Sequence, residues 1–143
     1  MGPLSKFEPI LRENEPLAPH TWFQVGGPAQ YFATPRNEDE LADLVRRCRD
    51  EDIHVRLLGG GSNILVRDAG VTGVVVRLDE SHFGTIEATG DIVRAGGAAR
   101  LGQVISTSVG KGLAGLESLV GIPGTIGGAL HGNTGGRGGD IGQ

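Results

Sequence analysis

With 143 residues and a formal net charge of −4, the chain is long enough for about one domain and has no basic excess that would favour a nucleic-acid partner. Its hydrophobic content of 38% is too high for a disordered chain, and its 26 glycines follow no G-X-Y repeat, which excludes collagen. The single Cys48 cannot form an internal disulfide, and neither a signal peptide nor a membrane-spanning apolar run is present. We therefore expect a cytoplasmic protein without a nucleic-acid or membrane partner.

The first part of the sequence predicts an N-terminal arm, a strand and an amphipathic helix. Residues 1–20 are interpreted as the arm, and residues 30–34 as a strand that Pro35 closes. Asn37 is a suitable N-cap, because three acidic residues follow it in the first helical turn. The helix then has one apolar stripe, formed by Leu41, Leu44, Val45 and Cys48. Cys48 is therefore interpreted as a small buried hydrophobe and not as a reactive thiol.

The later elements alternate less regularly. Strands are predicted at residues 54–58 and 73–78, and a hairpin at residues 85–95 around a turn at Gly90. A second helix is predicted at residues 100–109. Its apolar face consists of Leu101, Val104, Ile105 and Ser108. A βαβ unit followed by further strands, a helix and a glycine-rich return is an α+β pattern.

Two glycine-rich segments, each directly after an apolar stretch, are the strongest functional signal in the chain. They occupy residues 59–63, the first glycine loop, and residues 121–128, the second glycine loop. Glycine loses the most conformational entropy on folding, so such clusters indicate tight turns or the close approach of a ligand to the backbone. Main-chain N–H groups in two such loops suit an extended anion such as a dinucleotide pyrophosphate. The alternative, that these glycines only form tight turns, stays open at this point.

Neither standard nucleotide-binding motif matches these loops. The G-x-G-x-x-G motif of Rossmann folds fails in the first loop because its third glycine position is Ile64, and in the second because the spacing is G-x-x-G-x-x-G. A P-loop ending at Lys111 is excluded, because Ile105 replaces its first glycine and Gly112 replaces the required Ser or Thr.

Three motifs in one order carry a family resemblance. They are PHTWFQVGGPA at residues 19–29, LGGGSNILVRD at residues 58–68 and GLAGLESLVGIPGTIGGA at residues 112–129. With them the chain resembles the N-terminal, FAD-binding part of the UDP-N-acetylenolpyruvoylglucosamine reductase family, flavoproteins of the vanillyl-alcohol-oxidase (PCMH) type. The resemblance covers nearly the whole chain. It implies an α+β FAD-binding domain at residues 21–143 that is truncated on its C-terminal side.

The same resemblance implies a reaction and a cofactor site. Members of that family use NADPH and FAD to reduce UDP-N-acetylglucosamine enolpyruvate to UDP-N-acetylmuramate, a peptidoglycan precursor. The first glycine loop matches the family's pyrophosphate-binding loop, where the Ser62 hydroxyl and the Asn63 amide would add side-chain contacts. The second matches the loop along the flavin, with Thr125 as the candidate hydrogen-bond partner. The implied FAD-binding residues are Gly59, Gly60, Gly61, Ser62, Asn63, Ile64, Gly121, Ile122, Pro123, Gly124, Thr125, Gly127, Gly128 and Asn133.

The chain departs from the family pattern near its end. Family members continue with Asn-Ala-Gly, whereas this chain has Asn133, Thr134 and Gly135. The resemblance implies no catalytic residue within the chain, because the family's proton-donating serine, catalytic glutamate and substrate-orienting arginine belong to segments beyond Gln143. The substrate-binding domain is expected there as well. Residues 132–143 are rich in glycine and have no closing element, which we interpret as truncation.

Two other functional interpretations stay open at this point. One is a different flavoprotein of the same fold, such as an alcohol or lactone oxidase or a molybdenum-hydroxylase FAD subunit. No histidine lies between Gly59 and Ser81, so a covalent FAD tether in that segment has no candidate. The other is a non-catalytic module whose glycine loops shape a protein-binding surface.

Several remaining side chains receive structural interpretations. A metal site is not expected, because the four histidines and the one cysteine have no ligand spacing. Trp22 and Phe23, together with Tyr31 and Phe32, are expected to anchor the arm against the sheet, with contact to the adenine as the alternative. Glu117 is expected to accept backbone N–H bonds and so to stabilise the second glycine loop.

Overall fold

The computed structural model describes residues 2–142, so Met1 of the predicted arm and Gln143 of the predicted FAD-binding domain lie outside the described residues. The chain divides between Asp79 and Glu80 into two compact units. The regular elements of the first unit are a 3₁₀ helix at Ser5–Ile10, β1 at Leu11–Pro16, a short 3₁₀ helix at Ala18–His20, β2 at Pro28–Ala33, α1 at Glu38–Asp50, β3 at Val55–Leu58 and β4 at Val71–Arg77.

Among the described residues of the first unit, four strands form one sheet in the order β1-β2-β4-β3. β1 is antiparallel to β2, while β2 and β3 each run parallel to β4. The chain therefore leaves β2, crosses through α1 to β3, and returns as β4 into the gap between the two. The predicted strands correspond to β2, β3 and β4, and the βαβ unit is confirmed; β1 was not predicted.

Helix α1 begins and packs largely as its sequence indicates. The Asn37 side chain accepts a hydrogen bond from the Glu40 amide at 2.8 Å, which confirms the predicted N-cap. Leu44 and Cys48 are fully buried, and burial raises the pKa of the Cys48 thiol, in keeping with its interpretation as a hydrophobe. Val45, however, is 41% exposed, so its predicted place in the buried stripe is wrong. The buried face of α1 is therefore narrower than its apolar stripe, with Leu44 and Cys48 in one core cluster together with Ala33 and Val74.

The N-terminal segment is part of the core of the first unit. Leu4, Phe7 and Ile10 are buried together with Leu44 and Val74, although strand β1 itself is mostly exposed. The N-terminal segment is thus anchored by its own apolar residues. The predicted anchoring role is wrong for Trp22 and Phe23, whose side chains are 65% and 64% exposed, whereas Phe32 is buried and Tyr31 packs against this core.

The second unit begins with a short helix and a hairpin. Its regular elements are α2 at Glu80–Phe83, β5 at Ile86–Thr89, β6 at Ile92–Ala95, α3 at Leu101–Gly110, a 3₁₀ turn at Glu117–Leu119, α4 at Ile126–His131, β7 at Gly135–Gly136 and β8 at Gly139–Asp140. The predicted hairpin is confirmed, with Gly90 at a φ of +57° in its turn. The predicted face of α3 is also confirmed, since all four of its residues are buried. The mixture of helices with parallel and antiparallel strands confirms the α+β class.

Candidate functional site: two glycine loops

The first glycine loop lies at the carboxyl end of β3, directly after the buried Leu58. Gly61 is buried and has a φ of +70°, a conformation that side chains with a Cβ rarely adopt. A Cβ added to Gly61 would lie 2.2 Å from the backbone oxygen of His20. Glycine is therefore required here by both the backbone conformation and the neighbouring chain.

The backbone N–H groups of this loop are available to donate hydrogen bonds to a ligand. None of the hydrogen bonds formed within residues 2–142 has as its donor the backbone N–H of Gly60, Gly61, Ser62 or Asn63. The carbonyl of Gly61, in contrast, accepts a hydrogen bond from the amide of Trp22 at 2.9 Å. Several neighbouring N–H groups without acceptors are the arrangement with which proteins bind phosphate oxygens. The loop fits a pyrophosphate.

A second pair of glycines, which the sequence analysis did not include among the site residues, packs on the chain that leaves this loop. A Cβ on Gly26 would lie 2.5 Å from the Cβ of Val66, and one on Gly27 would lie 2.1 Å from the oxygen of Asp68. The amide of Gly27 also donates to the carbonyl of Arg67 at 2.9 Å. The two glycines of the first motif thus let residues 26–27 lie directly against residues 66–68. The sequence signal that could have identified this contact is the Gly-Gly pair itself.

The second glycine loop, in the second unit, precedes and begins α4. Thr125 is the N-cap of this helix, and its side-chain oxygen accepts from the Gly128 amide at 3.3 Å. The amides of Ile126 and Gly127 donate to the carbonyls of Ala99 and Gly97, each at 2.9 Å. These three N–H groups are consequently occupied by the protein's own acceptors.

Other parts of the second loop have free donors and unusual backbone angles. Gly121 and Gly124 have φ angles of +84° and +116°. Within residues 2–142, no hydrogen bond has the amide of Gly121, Gly124 or Thr125 as its donor. The loop therefore combines a structural part, at residues 126–128, with N–H groups available for a ligand at Gly121, Gly124 and Thr125, while the amide of Ile122 donates to the Leu119 carbonyl at 3.2 Å.

The residues around the second loop support it. Glu117 accepts from the backbone amide of Gly115 at 2.8 Å, so it accepts a backbone N–H bond as predicted, but from a residue that precedes the second glycine loop. Asn133 follows α4 with a φ of +44°, a left-handed conformation that asparagine tolerates better than most residues. The predicted site residues thus form two groups. Residues 59–64 lie in the first unit, and residues 121–128 with Asn133 lie in the second.

We also searched the described part of the chain for a metal site and for a membrane-spanning helix. Among residues 2–142, no three His, Cys, Asp or Glu side chains are grouped so that they could hold a metal ion. None of the helices in this range is both long and apolar enough to cross a bilayer.

Comparison with known proteins identifies the family. Residues 29–142 match the family described as FAD binding domain. The chain belongs to this family. Its cofactor is FAD, as the resemblance of the motifs predicted, and the free amides of the first loop fit the pyrophosphate of that cofactor.

Relatives of this FAD-binding chain agree with that resemblance. The chain is 52% identical over 130 residues to UDP-N-acetylenolpyruvoylglucosamine reductase of Bradyrhizobium sp. (strain ORS 278), covering 91% of the chain and 42% of that relative. It is 43% identical over 134 residues to the enzyme of the same name from Rhodopirellula baltica, covering 94% of the chain and 44% of the relative. The chain thus spans less than half the length of these relatives. The predicted family resemblance is confirmed.

Solved structures show the same fold. UDP-N-acetylenolpyruvylglucosamine reductase from Thermus caldophilus is similar with a TM-score of 0.75 and 36% identity, over 91% of this chain and 45% of that one. A cholesterol oxidase from Brevibacterium sterolicum is similar with a TM-score of 0.67 and 21% identity, over 95% of this chain and 27% of that one. The second likeness shows the fold alone. Both support the predicted vanillyl-alcohol-oxidase type of FAD-binding fold.

Proposed function

We propose that this chain is the FAD-binding portion of an NADPH-dependent reductase that converts UDP-N-acetylglucosamine enolpyruvate to UDP-N-acetylmuramate in the cytoplasm, for peptidoglycan synthesis. The observation that carries this proposal is the 52% identity to such a reductase over 91% of the chain. The free amides of the first glycine loop add a physical reason, because they suit the cofactor that this reaction needs.

In this proposal the first glycine loop holds the pyrophosphate of FAD. The amides of Gly60 to Asn63 donate to the phosphate oxygens, and Ile64 follows them at the loop exit. Ser62 adds its hydroxyl, which is half-buried and engaged in no hydrogen bond within residues 2–142. Hydrogen bonds from several fixed amides to a charged acceptor are strong because each one is charge-assisted.

The second glycine loop, from Gly121 through Ile122, Pro123 and Gly124 to Gly128, lies along the flavin in the proposed complex. The Thr125 oxygen already accepts from Gly128, so its hydroxyl hydrogen is available for donation to the flavin. When bound, FAD supplies hydride transfer between NADPH and substrate. We assign no catalytic residue to this chain and place the catalytic acid and the substrate-orienting groups outside it.

The first test is cofactor binding by the chain itself. After incubation with FAD and gel filtration, we expect the protein to retain the flavin and to show absorption bands near roughly 375 and 450 nm, which arise from the cofactor's own electronics. Complete loss of flavin on gel filtration, with no saturable binding in a titration, would contradict the assignment of FAD to these loops.

A chimera tests the reaction separately from the cofactor. In the Bradyrhizobium reductase, the 130-residue segment that matches this chain is replaced by the chain's own sequence. We expect the chimera to form UDP-N-acetylmuramate from NADPH and the enolpyruvyl substrate, detected by mass spectrometry. A control chimera receives the matching segment of the cholesterol oxidase and should form no product. A chimera that binds FAD normally but makes no product would argue for another flavoprotein of the same fold.

Replacement of Ser62 by alanine is expected to weaken FAD binding by roughly 1.5–3 kcal/mol, since one hydrogen bond to a charged acceptor is lost. This corresponds to about tenfold or more in the dissociation constant, which a flavin titration measures. Ser106→Ala is a matched control, because the Ser106 hydroxyl donates to the Gly102 carbonyl within α3. An unchanged dissociation constant in Ser62→Ala would show that the backbone amides alone hold the pyrophosphate.

A further inference from the structure

His20 occupies a cluster of the first unit to which no function has been assigned. Its side chain is 15% exposed, at the end of the short 3₁₀ helix between β1 and β2. The ring stacks on Phe32 of β2 with centroids 4.6 Å apart. Nε2 lies 3.0 Å from the carboxylate of Glu15 on β1, and Nδ1 lies 2.8 Å from the guanidinium of Arg77 on β4. Three strands thus hold this one ring.

These contacts determine where the ring carries its proton. A guanidinium has only donors, so Nδ1 of His20 must accept from Arg77. The ring proton therefore sits on Nε2 and is donated to Glu15. A second proton, on Nδ1, would face the positive charge of Arg77 and break that hydrogen bond. The observed arrangement consequently requires the neutral imidazole.

The contacts of the ring extend to a second guanidinium group. The Glu15 carboxylate that contacts the ring is shared with Arg12, whose Nη1 lies 2.9 Å from the same oxygen. The Arg12 guanidinium also lies 5.7 Å from the Phe32 ring centre. The ring, two guanidinium groups and one carboxylate thus belong to one cluster of connected side chains.

The backbone next to this ring is in direct contact with the first glycine loop. The His20 carbonyl oxygen occupies the space that a Cβ on Gly61 would need, at 2.2 Å. Two residues later the Trp22 amide donates to the Gly61 carbonyl at 2.9 Å. The side chain of His20 contacts residues of the sheet, and the backbone of residues 20–22 contacts the first glycine loop. A change at the ring is therefore transmitted to the loop over one or two residues.

We propose that His20 is the positioning residue of the first glycine loop: its neutral ring holds residues 20–22 against Gly61, and its protonation releases Arg77 and weakens FAD binding. This inference rests on the proposed role of that loop in holding FAD. It makes cofactor affinity depend on pH through a residue that does not contact the cofactor.

The test compares the pH dependence of FAD affinity in the wild type and in three variants of the chain. The wild type should lose affinity by roughly five- to tenfold, the effect of about one hydrogen bond, between about pH 8 and about pH 5, the range in which histidines titrate. His20→Asn keeps an oxygen acceptor that can face Arg77 but cannot titrate, so its affinity should not change over this range. His20→Leu should bind more weakly at every pH, and His20→Asn should recover part of that loss.

A third variant guards against misfolding of the histidine variants. Arg77→Gln replaces the guanidinium by an amide, whose N–H can donate to the neutral ring and whose oxygen can accept from a protonated one. Protonation then no longer breaks the contact, so the loss of affinity at low pH should be smaller than that of the wild type. Equal pH profiles in the wild type, His20→Asn and Arg77→Gln would overturn the inference.

A readout without FAD separates this inference from the proposed function. The amide NMR signals of Gly61 and Trp22 in the FAD-free chain should titrate with pH in the wild type and stay constant in His20→Asn. If these signals behave as expected but FAD does not bind, the positioning of the loop stands and its proposed ligand is wrong. If they are equally constant in both proteins, the positioning role is overturned, whatever the affinity for FAD.

Discussion

Gly61→Val is expected to reduce FAD affinity by at least about a hundredfold, because displacement of the loop costs two or more charge-assisted hydrogen bonds of roughly 1.5–3 kcal/mol each. The displacement has two causes. Valine disfavours the φ of +70° at this position, and its Cβ would lie 2.2 Å from the His20 carbonyl oxygen, so either the loop or residues 20–22 must move. Flavin titration and the flavin content after gel filtration measure the effect.

The control for this substitution is Gly102→Ala in α3. Gly102 lies in a helix, nothing lies within 4 Å of an added Cβ, and its backbone angle suits any residue, so FAD affinity should be unchanged and stability slightly raised. Circular dichroism should show that both variants stay folded. A Gly61→Val protein with normal flavin affinity would mean that the first glycine loop is not the pyrophosphate site.

Leu44→Ala is expected to destabilise the chain by about 2–5 kcal/mol, the range for removing a fully buried leucine from a core. Leu44 is 0% exposed and packs with Phe7, Ile10 and Val74, so α1, the N-terminal segment and the sheet all lose contacts at once. Urea unfolding followed by circular dichroism measures the free energy of unfolding.

Val45→Ala is the matched control on the same helix. Because Val45 is 41% exposed, its truncation should change the free energy of unfolding by only about 0.5 kcal/mol, as for other surface substitutions. Leu44 and Val45 belong to the same apolar stripe in the sequence, but only Leu44 is buried in the structure. The two substitutions therefore test whether burial in the structure or membership of the stripe determines the loss of stability. Equal destabilisation by both substitutions would show that the stripe is buried as its sequence suggests and that the packing described for α1 is wrong.

Several elements could be predicted from the sequence because the forces behind them act within a few residues. The Asn37 side chain caps the helix that begins one residue later, and Gly90 supplies the positive φ of a turn between two short strands. Helix α3 buries the face that its 3.6-residue period predicts, because that helix is packed along its whole length. FAD, in contrast, was predicted through the family resemblance that the three motifs carry, and not from any local force.

Burial in the first unit was decided only by tertiary structure. Strand β1 has three charged residues and no apolar alternation, so its place in the sheet follows from pairing with β2 and not from its own pattern. Val45 continues an apolar stripe, yet it stays 41% exposed in the folded chain. The insertion of β4 between β2 and β3 depends on parallel pairing between segments far apart in sequence, which no local signal encodes.

The same division applies to the candidate site. The sequence by itself located both glycine loops, because a position that excludes a Cβ leaves a visible run of glycines. It could not say what each glycine approaches. Gly61 meets the backbone of His20, and Gly127 meets that of Gly97, so these contacts join segments that only the folded chain brings together. The ring of His20 is held by residues from three strands, and its link to the loop therefore exists only in the tertiary structure.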